Sequence, residues 1–211
     1  MFAEVNLEVS PGRTVVIAGS NGAGKTTLLK VLATRLRPSL GAARVFGFDL
    51  RRDGAEARRH LAYLSVLGGS YPTLTAMENL RLAASLYRHG PAEVTRAELS
   101  GKLEAVGLLA ESDKLVRSFS SGMKKRLGIA RLLLSDADLW LLDEPYAALD
   151  EDGRRLVDDL VVSAKLQGRT VVMASHEVEH VGRFADGVLQ LEGGRLRRYG
   201  TLSSAEVAHG R

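Results

Sequence analysis

Gly19-Ser20-Asn21-Gly22-Ala23-Gly24-Lys25-Thr26 fits the pattern G-x-x-x-x-G-K-[ST]. Glycines at such spacing let a backbone wrap closely around a polyphosphate and aim its N–H groups at the oxygens. A helix opening at Lys25 would add the positive end of its dipole. Lys25 is then expected to bridge the β- and γ-phosphates. The Thr26 hydroxyl would be a Mg²⁺ ligand, and Thr27 would complete the phosphate contacts in the first turn.

A second group of residues could act on what such a loop holds. The apolar run Leu139-Trp140-Leu141-Leu142 ends in Asp143-Glu144-Pro145. A buried strand of this kind delivers acids to its carboxyl edge, where open α/β sheets bind their ligands. Asp143 is expected to hold Mg²⁺ through its water shell, and Glu144 to orient and polarise an attacking water.

Those residues need a scaffold, and the chain alternates short apolar runs with helix-period segments. That alternation predicts a parallel sheet covered by helices. Thr14–Ala18 reads as a buried strand before the glycine loop, with a helix over about Thr26 to Leu36 after it. Thr170–Ala174 reads as a further buried strand. Leu156, Val157, Leu160, Val161 and Ala164 mark one face of a helix that Gly168 ends. Val188–Leu191, Gly193-Gly194 and Leu196 onward read as a closing hairpin. Between about Thr73 and Ser135 the texture is helical. Thr75-Ala76-Met77-Glu78 fits a capping box before Met77, Leu80, Ala84 and Tyr87. A second helix is expected over about Thr95 to Val106, with Leu99, Leu103 and Val106 inward. The expectation is one α/β domain over residues 1–211. It has a phosphate-loop NTPase core at about 1–72 and 136–211, a small antiparallel β part, and an inserted helical subdomain at about 73–135.

Composition narrows the class. A chain of 211 residues, 45% hydrophobic and 26% charged, is that of an ordinary globular protein. It has no cysteine, which excludes disulfides and thiolate metal sites. No apolar stretch approaches the roughly 20 residues of a membrane-spanning helix, and Met1 to Val9 lacks a signal-peptide pattern. A soluble, cytoplasmic chain is therefore expected. The net charge of +4 is scattered in small clusters such as Arg51-Arg52, Arg58-Arg59, Lys124-Lys125-Arg126 and Arg195 to Arg198. They read as solvated faces, and no nucleic-acid partner is expected.

Together these motifs resemble the ABC ATPase family over nearly the whole chain. Ser118-Phe119-Ser120-Ser121-Gly122-Met123 resembles the family's signature loop, usually L-S-G-G-Q. Physically it is another anion site at a helix N-terminus. The resemblance implies that Ser120 and Gly122 close over the γ-phosphate held by a second copy, in a head-to-tail dimer. Ala147-Ala148-Leu149-Asp150 resembles the family's D-loop, which implies that Asp150 faces the opposite site. Ser175-His176 matches the family's switch histidine, which implies that His176 bonds the γ-phosphate and steadies the water. ATP and Mg²⁺ are the implied cofactors.

Several positions depart from the family pattern. Phe119, Ser121 and Met123 differ from the signature consensus, and Ala147 stands where the D-loop has serine. Leu67, or Val66, stands where the family's Q-loop has a metal-ligating glutamine. The adenine-stacking aromatic of the family lies upstream of Phe2, so either an earlier segment carries it or Phe2 or another apolar residue takes its place. The resemblance implies a motor that drives separate integral membrane permease subunits from the inner face of the cell membrane, working as a homodimer or with a paralogue. The short chain, the Leu139-Trp140-Leu141-Leu142 strand and the Tyr71-Pro72-Thr73-Leu74-Thr75 stretch resemble two groups of transporter ATPases: the small ATPase of the haem exporter of cytochrome c maturation, and ATPases paired with export-type permeases. A poorly hydrolysing regulatory subunit is the alternative. Soluble repair ATPases would need a long coiled coil between the two loops, which is missing here.

Overall fold

The computed structural model describes residues 5–87 and 94–199. Its strands in chain order are β1 (Thr14–Ala18), β2 (Arg44–Val45), β3 (Phe48–Asp49), β4 (Leu61–Leu64), β5 (Leu139–Asp143), β6 (Thr170–Ala174), β7 (Gly187–Glu192) and β8 (Arg195–Arg198). Its helices are α1 (Lys25–Leu32), α2 (Gly54–Arg59), α3 (Ala76–Tyr87), α4 (Arg96–Ala105), α5 (Ser121–Leu132), α6 (Glu151–Leu166) and α7 (Val178–Val181). The chain divides into two compact units. Unit 1 comprises Met1–Tyr63, Ala137–Glu144 and Asp158–Arg211; unit 2 comprises Leu64–Asp136 and Pro145–Val157. The fold is mixed α/β with a mainly parallel sheet, as the sequence predicts.

In unit 1 the large sheet runs β4-β5-β6-β1-β7-β8. β1 is parallel to β6 and β7, and β5 is parallel to β6, while β8 closes the edge antiparallel to β7. Strands β5 and β6 are buried along their whole length, which is why their sequences are continuous apolar runs. Register then does the positioning. Ile17 lies opposite Ala174, and Asp143 lies opposite Ala174, so β1, β5 and β6 end level with one another. The loops that follow them, starting at Gly19, Glu144 and Ser175, leave from one carboxyl edge. α1 packs against β5 and β6, with Leu28 and Leu29 in a core shared with Ile17, Leu141 and Val172.

α1 ends at Leu32, short of the predicted Leu36. Thr34 takes a left-handed conformation (φ 58°), and the Arg35 N–H returns to the Lys30 carbonyl at 2.8 Å, closing the helix as a glycine cap would. The pair β2–β3 turns through Phe46 and Gly47, both at positive φ, as a two-residue hairpin requires. Its strands of two residues are too short to show an alternating pattern in sequence.

In unit 2, α3, α4 and α5 pack on one another. Their buried faces are Met77, Leu80, Ala84, Leu99, Leu103, Leu127 and Ile129. The predicted capping box is present: Glu78 N–H donates to Thr75 Oγ1 at 3.1 Å, and Thr75 N–H donates to Glu78 Oε2 at 2.8 Å. Thr95 caps α4 by accepting from Glu98 N–H at 3.2 Å.

Candidate active site

The glycine loop leaves β1 and enters α1 without a side-chain cap, since the N-cap residue is Gly24 at φ 107°. The N–H groups of the first turn therefore face outward, available to an anion. Gly19 has φ 152°, and a Cβ there would lie 2.6 Å from the Leu191 carbonyl oxygen. Only glycine fits this passage, so the loop is built by close backbone approach.

Two groups hold Asp143, which is 1% exposed at the end of β5. The Thr26 hydroxyl donates to Oδ1 at 2.9 Å, and the Tyr63 hydroxyl on β4 donates to Oδ2 at 2.9 Å. A buried carboxylate is costly unless its oxygens find donors, and here each oxygen has one. Burial first, then the Asp143 charge, pushes the Tyr63 phenol far above its ordinary range, so it stays a proton donor. The Arg35 guanidinium lies over the Tyr63 ring, 5.0 Å from its centroid.

Beside this pair, Glu144 joins Lys25 and His176. Lys25 Nζ stands 3.4 Å from Glu144 Oε1, and His176 Nδ1 donates to Glu144 Oε2 at 2.9 Å. Lys25 Nζ also donates to the Gly19 carbonyl at 2.7 Å and the Ser20 carbonyl at 3.3 Å. Glu144 sits at φ 45°, a left-handed conformation that few bulky residues adopt, and its N–H donates to the Ala174 carbonyl at 2.9 Å. Strain of this kind is held in place where the chain leaves β5, and it turns the carboxylate out of the strand direction. Lys25, Thr26, Asp143, Glu144 and His176 are thus brought together within unit 1. Ser20, Asn21 and Thr27 are exposed around them, and Gly22 and Ala23 complete the loop.

In unit 2, Ser120 caps α5 by accepting from Met123 N–H at 3.1 Å. Gly122 has a packing reason as well: a Cβ there would meet the Ala148 carbonyl oxygen at 2.8 Å. Asp150 accepts from Gly153 N–H at 2.9 Å and from Arg126 at 2.6 Å. The Gly153 bond first, then Arg126, holds the Asp150 carboxyl below the usual carboxylate range. Asp150 therefore serves as the N-terminal cap of α6 within its own chain. The cluster Lys124-Lys125-Arg126 is not a solvated face. Lys125 is 1% exposed and donates to the Ser65 carbonyl at 3.2 Å, and Arg126 reaches Val106 and Asp150. The α5 packing face claims Lys125, which sequence spacing alone did not reveal.

Tyr63 is the site residue that sequence reasoning missed. Its signal was a lone polar atom in the apolar strand Leu61-Ala62-Tyr63-Leu64, and tyrosine is common in strands for its ring alone. Leu67, at the position expected to hold glutamine, is 78% exposed. Phe2 lies outside the described residues.

Comparison with known proteins agrees with this geometry. The family model described as "ABC transporter" matches residues 2–147. The ABC transporter ATP-binding protein NatA of Bacillus subtilis is 33% identical over 95% of this chain and 82% of its own length. The cytochrome c biogenesis ATP-binding export protein CcmA of Xanthomonas axonopodis pv. citri is 41% identical over 80% of this chain and 75% of its own. Among solved structures, a dimeric post-hydrolysis state of the ATP-binding cassette MJ0796 bound to ADP and Pi superposes with a TM-score of 0.87. It shares 26% identity and covers 97% of this chain and 91% of that one. The chain belongs to the ABC transporter family, as an ATP-binding subunit with ATPase activity.

Proposed function

We propose that this chain is the motor of an exporter, with haem export for cytochrome c biogenesis as the favoured process. The observation that carries the ATPase chemistry is the joined set of Lys25, Thr26, Asp143, Glu144 and His176 at one carboxyl edge. The loop N–H groups and Lys25 take the phosphates of ATP, and Glu144 orients the water that attacks the γ-phosphorus. The bond from that phosphorus to the β,γ-bridging oxygen breaks, leaving ADP and phosphate. His176, held by Glu144, hydrogen-bonds the γ-phosphate and steadies the water.

The residues also fit Mg²⁺. Asp143 and Thr26 offer two hard oxygens at one buried point, and no group of three or more His, Cys, Asp or Glu occurs among the described residues. That is the mode Mg²⁺ favours: one or two protein oxygens, with phosphates and waters completing its shell. When bound, it neutralises charge on the β- and γ-phosphates.

Ser120, Gly122 and Asp150 would serve a second copy of the chain in a homodimer closed by ATP. The membrane-facing partners would be separate permease subunits, since no helix among the described residues is long and apolar enough to cross a membrane. This reading places the chain on the inner face of the cell membrane. Leu67, Tyr71 and Leu86 are large exposed apolar side chains of unit 2, in or beside the segment from Thr73 to Arg88, which would be the surface that meets the permease. Arg88 itself lies outside the described residues.

The relatives named for cytochrome c biogenesis support the haem-export reading through their 41% identity. NatA, named only as an ABC transporter ATP-binding protein, leaves room for a second reading, an ATPase of another transporter, through its coverage of 95% of the chain. Light scattering of Glu144→Gln with and without Mg-ATP tests the motor itself. A dimer that forms only with Mg-ATP supports it; a protein that binds ATP and stays monomeric overturns it. Co-expression with candidate permeases, followed by purification, then separates the two cargo readings.

A further inference from the structure

We propose that Tyr63 is a positioning residue for the metal-binding carboxylate: its hydroxyl fixes the plane of Asp143 so that one oxygen is presented for Mg²⁺ before the metal arrives. The proposal rests on the ATPase reading above.

The physical case begins with freedom. The terminal torsion of aspartate is broad and nearly two-fold, so a carboxylate with one donor still swings. Asp143 has two donors on opposite oxygens, Thr26 to Oδ1 and Tyr63 to Oδ2, both at 2.9 Å. Thr26 is itself expected to ligate the metal, so its hydroxyl must reorient when Mg²⁺ binds. Tyr63 has no such second duty. Its ring is half-buried on β4, and a rigid strand sets where its oxygen lies.

Outer-shell partners of this kind change metal affinity without touching the metal. The test separates that from a structural role by asking for the metal dependence of nucleotide binding. A fluorescent, non-hydrolysable ATP analogue is titrated into wild type, Tyr63→Phe, Asp143→Asn, the double variant and Arg35→Gln, once in excess Mg²⁺ and once in EDTA. Tyr63→Phe keeps the ring and removes one oxygen, and a melting curve checks its fold. The expected result is affinity weakened about tenfold in Mg²⁺, unchanged affinity in EDTA, and no further weakening when Tyr63→Phe is added to Asp143→Asn. Arg35→Gln, which spares the hydroxyl, should match wild type in both conditions. Equal weakening in Mg²⁺ and EDTA, additivity with Asp143→Asn, or the same loss in Arg35→Gln would each overturn the proposal. A wild type that binds the analogue no better with Mg²⁺ than without would instead overturn the ATPase reading beneath it.

Discussion

The two units carry their functional groups in opposite ways. In unit 1 the chemistry-bearing side chains bond one another: Thr26 and Tyr63 hold Asp143, while Lys25 and His176 hold Glu144. In unit 2 the corresponding residues mainly shape helix starts: Ser120 caps α5, Gly122 makes room for the Ala148 carbonyl, and Asp150 caps α6 while also accepting from Arg126. A network of side chains fixes angles for a reaction. A set of helix caps fixes the shape of a surface. On the proposed function, unit 1 is pre-organised for chemistry within one chain, whereas unit 2 is pre-organised as a face.

Substitutions break this contrast from the strong end first. Glu144→Gln should lower ATP turnover by about two to four orders of magnitude, the range for losing a positioned general base. Nucleotide affinity should stay within a few-fold, measured by equilibrium titration. His176→Ala removes one bond to a charged partner, so turnover should fall roughly tenfold or more, with nucleotide affinity again little changed. Should both variants instead lose binding and keep turnover per bound nucleotide, the network would be a structural one.

Unit 2 predicts losses of another kind. Gly122→Ala drives a methyl to within 2.8 Å of the Ala148 carbonyl oxygen, so the first turn of α5 or the following loop must shift. Thermal or urea unfolding should show destabilisation of about 1–3 kcal/mol, typical of overpacking. Nucleotide binding by the isolated chain should be untouched. The smallest effect is Thr75→Ala, which removes a helix cap and should destabilise by about 1 kcal/mol.

The capping box also carries a pH signature. Bonds from the Thr75 backbone, then from its hydroxyl, hold the Glu78 carboxyl below its ordinary value. A depressed carboxylate pKa gives stabilisation that is present above the unfolded value and is lost as pH falls through the folded one. Melting temperatures of wild type and Glu78→Gln should therefore converge as pH drops below about 4. A constant gap across that range would show that the Glu78 charge contributes nothing to the cap.

Much of unit 1 was legible because its signals are local. Buried parallel strands write themselves as apolar runs, and Thr170–Ala174 was read to the residue. The glycine loop announced itself through residues that backbone geometry demands. In unit 2 the capping box and the inward Leu99, Leu103 and Val106 were equally plain. What stayed hidden depends on register and on distant partners. Tyr63 meets Asp143 because β4 neighbours β5, and no spacing along the chain encodes that pairing. Lys125 reads as one more surface cation until α5 turns it toward Ser65. The left-handed turn at Glu144 is likewise invisible in a residue type that seldom adopts it.

A single-turnover experiment tests the central claim most directly. Wild type and Glu144→Gln, each in excess over ATP labelled at the γ-phosphate, are mixed with Mg²⁺ and quenched over time. The account predicts that wild type converts its bound ATP to ADP and phosphate, while Glu144→Gln binds the same nucleotide and retains it intact. Hydrolysis by Glu144→Gln at the wild-type rate would contradict the assignment of the Lys25, Glu144 and His176 network as the reaction centre.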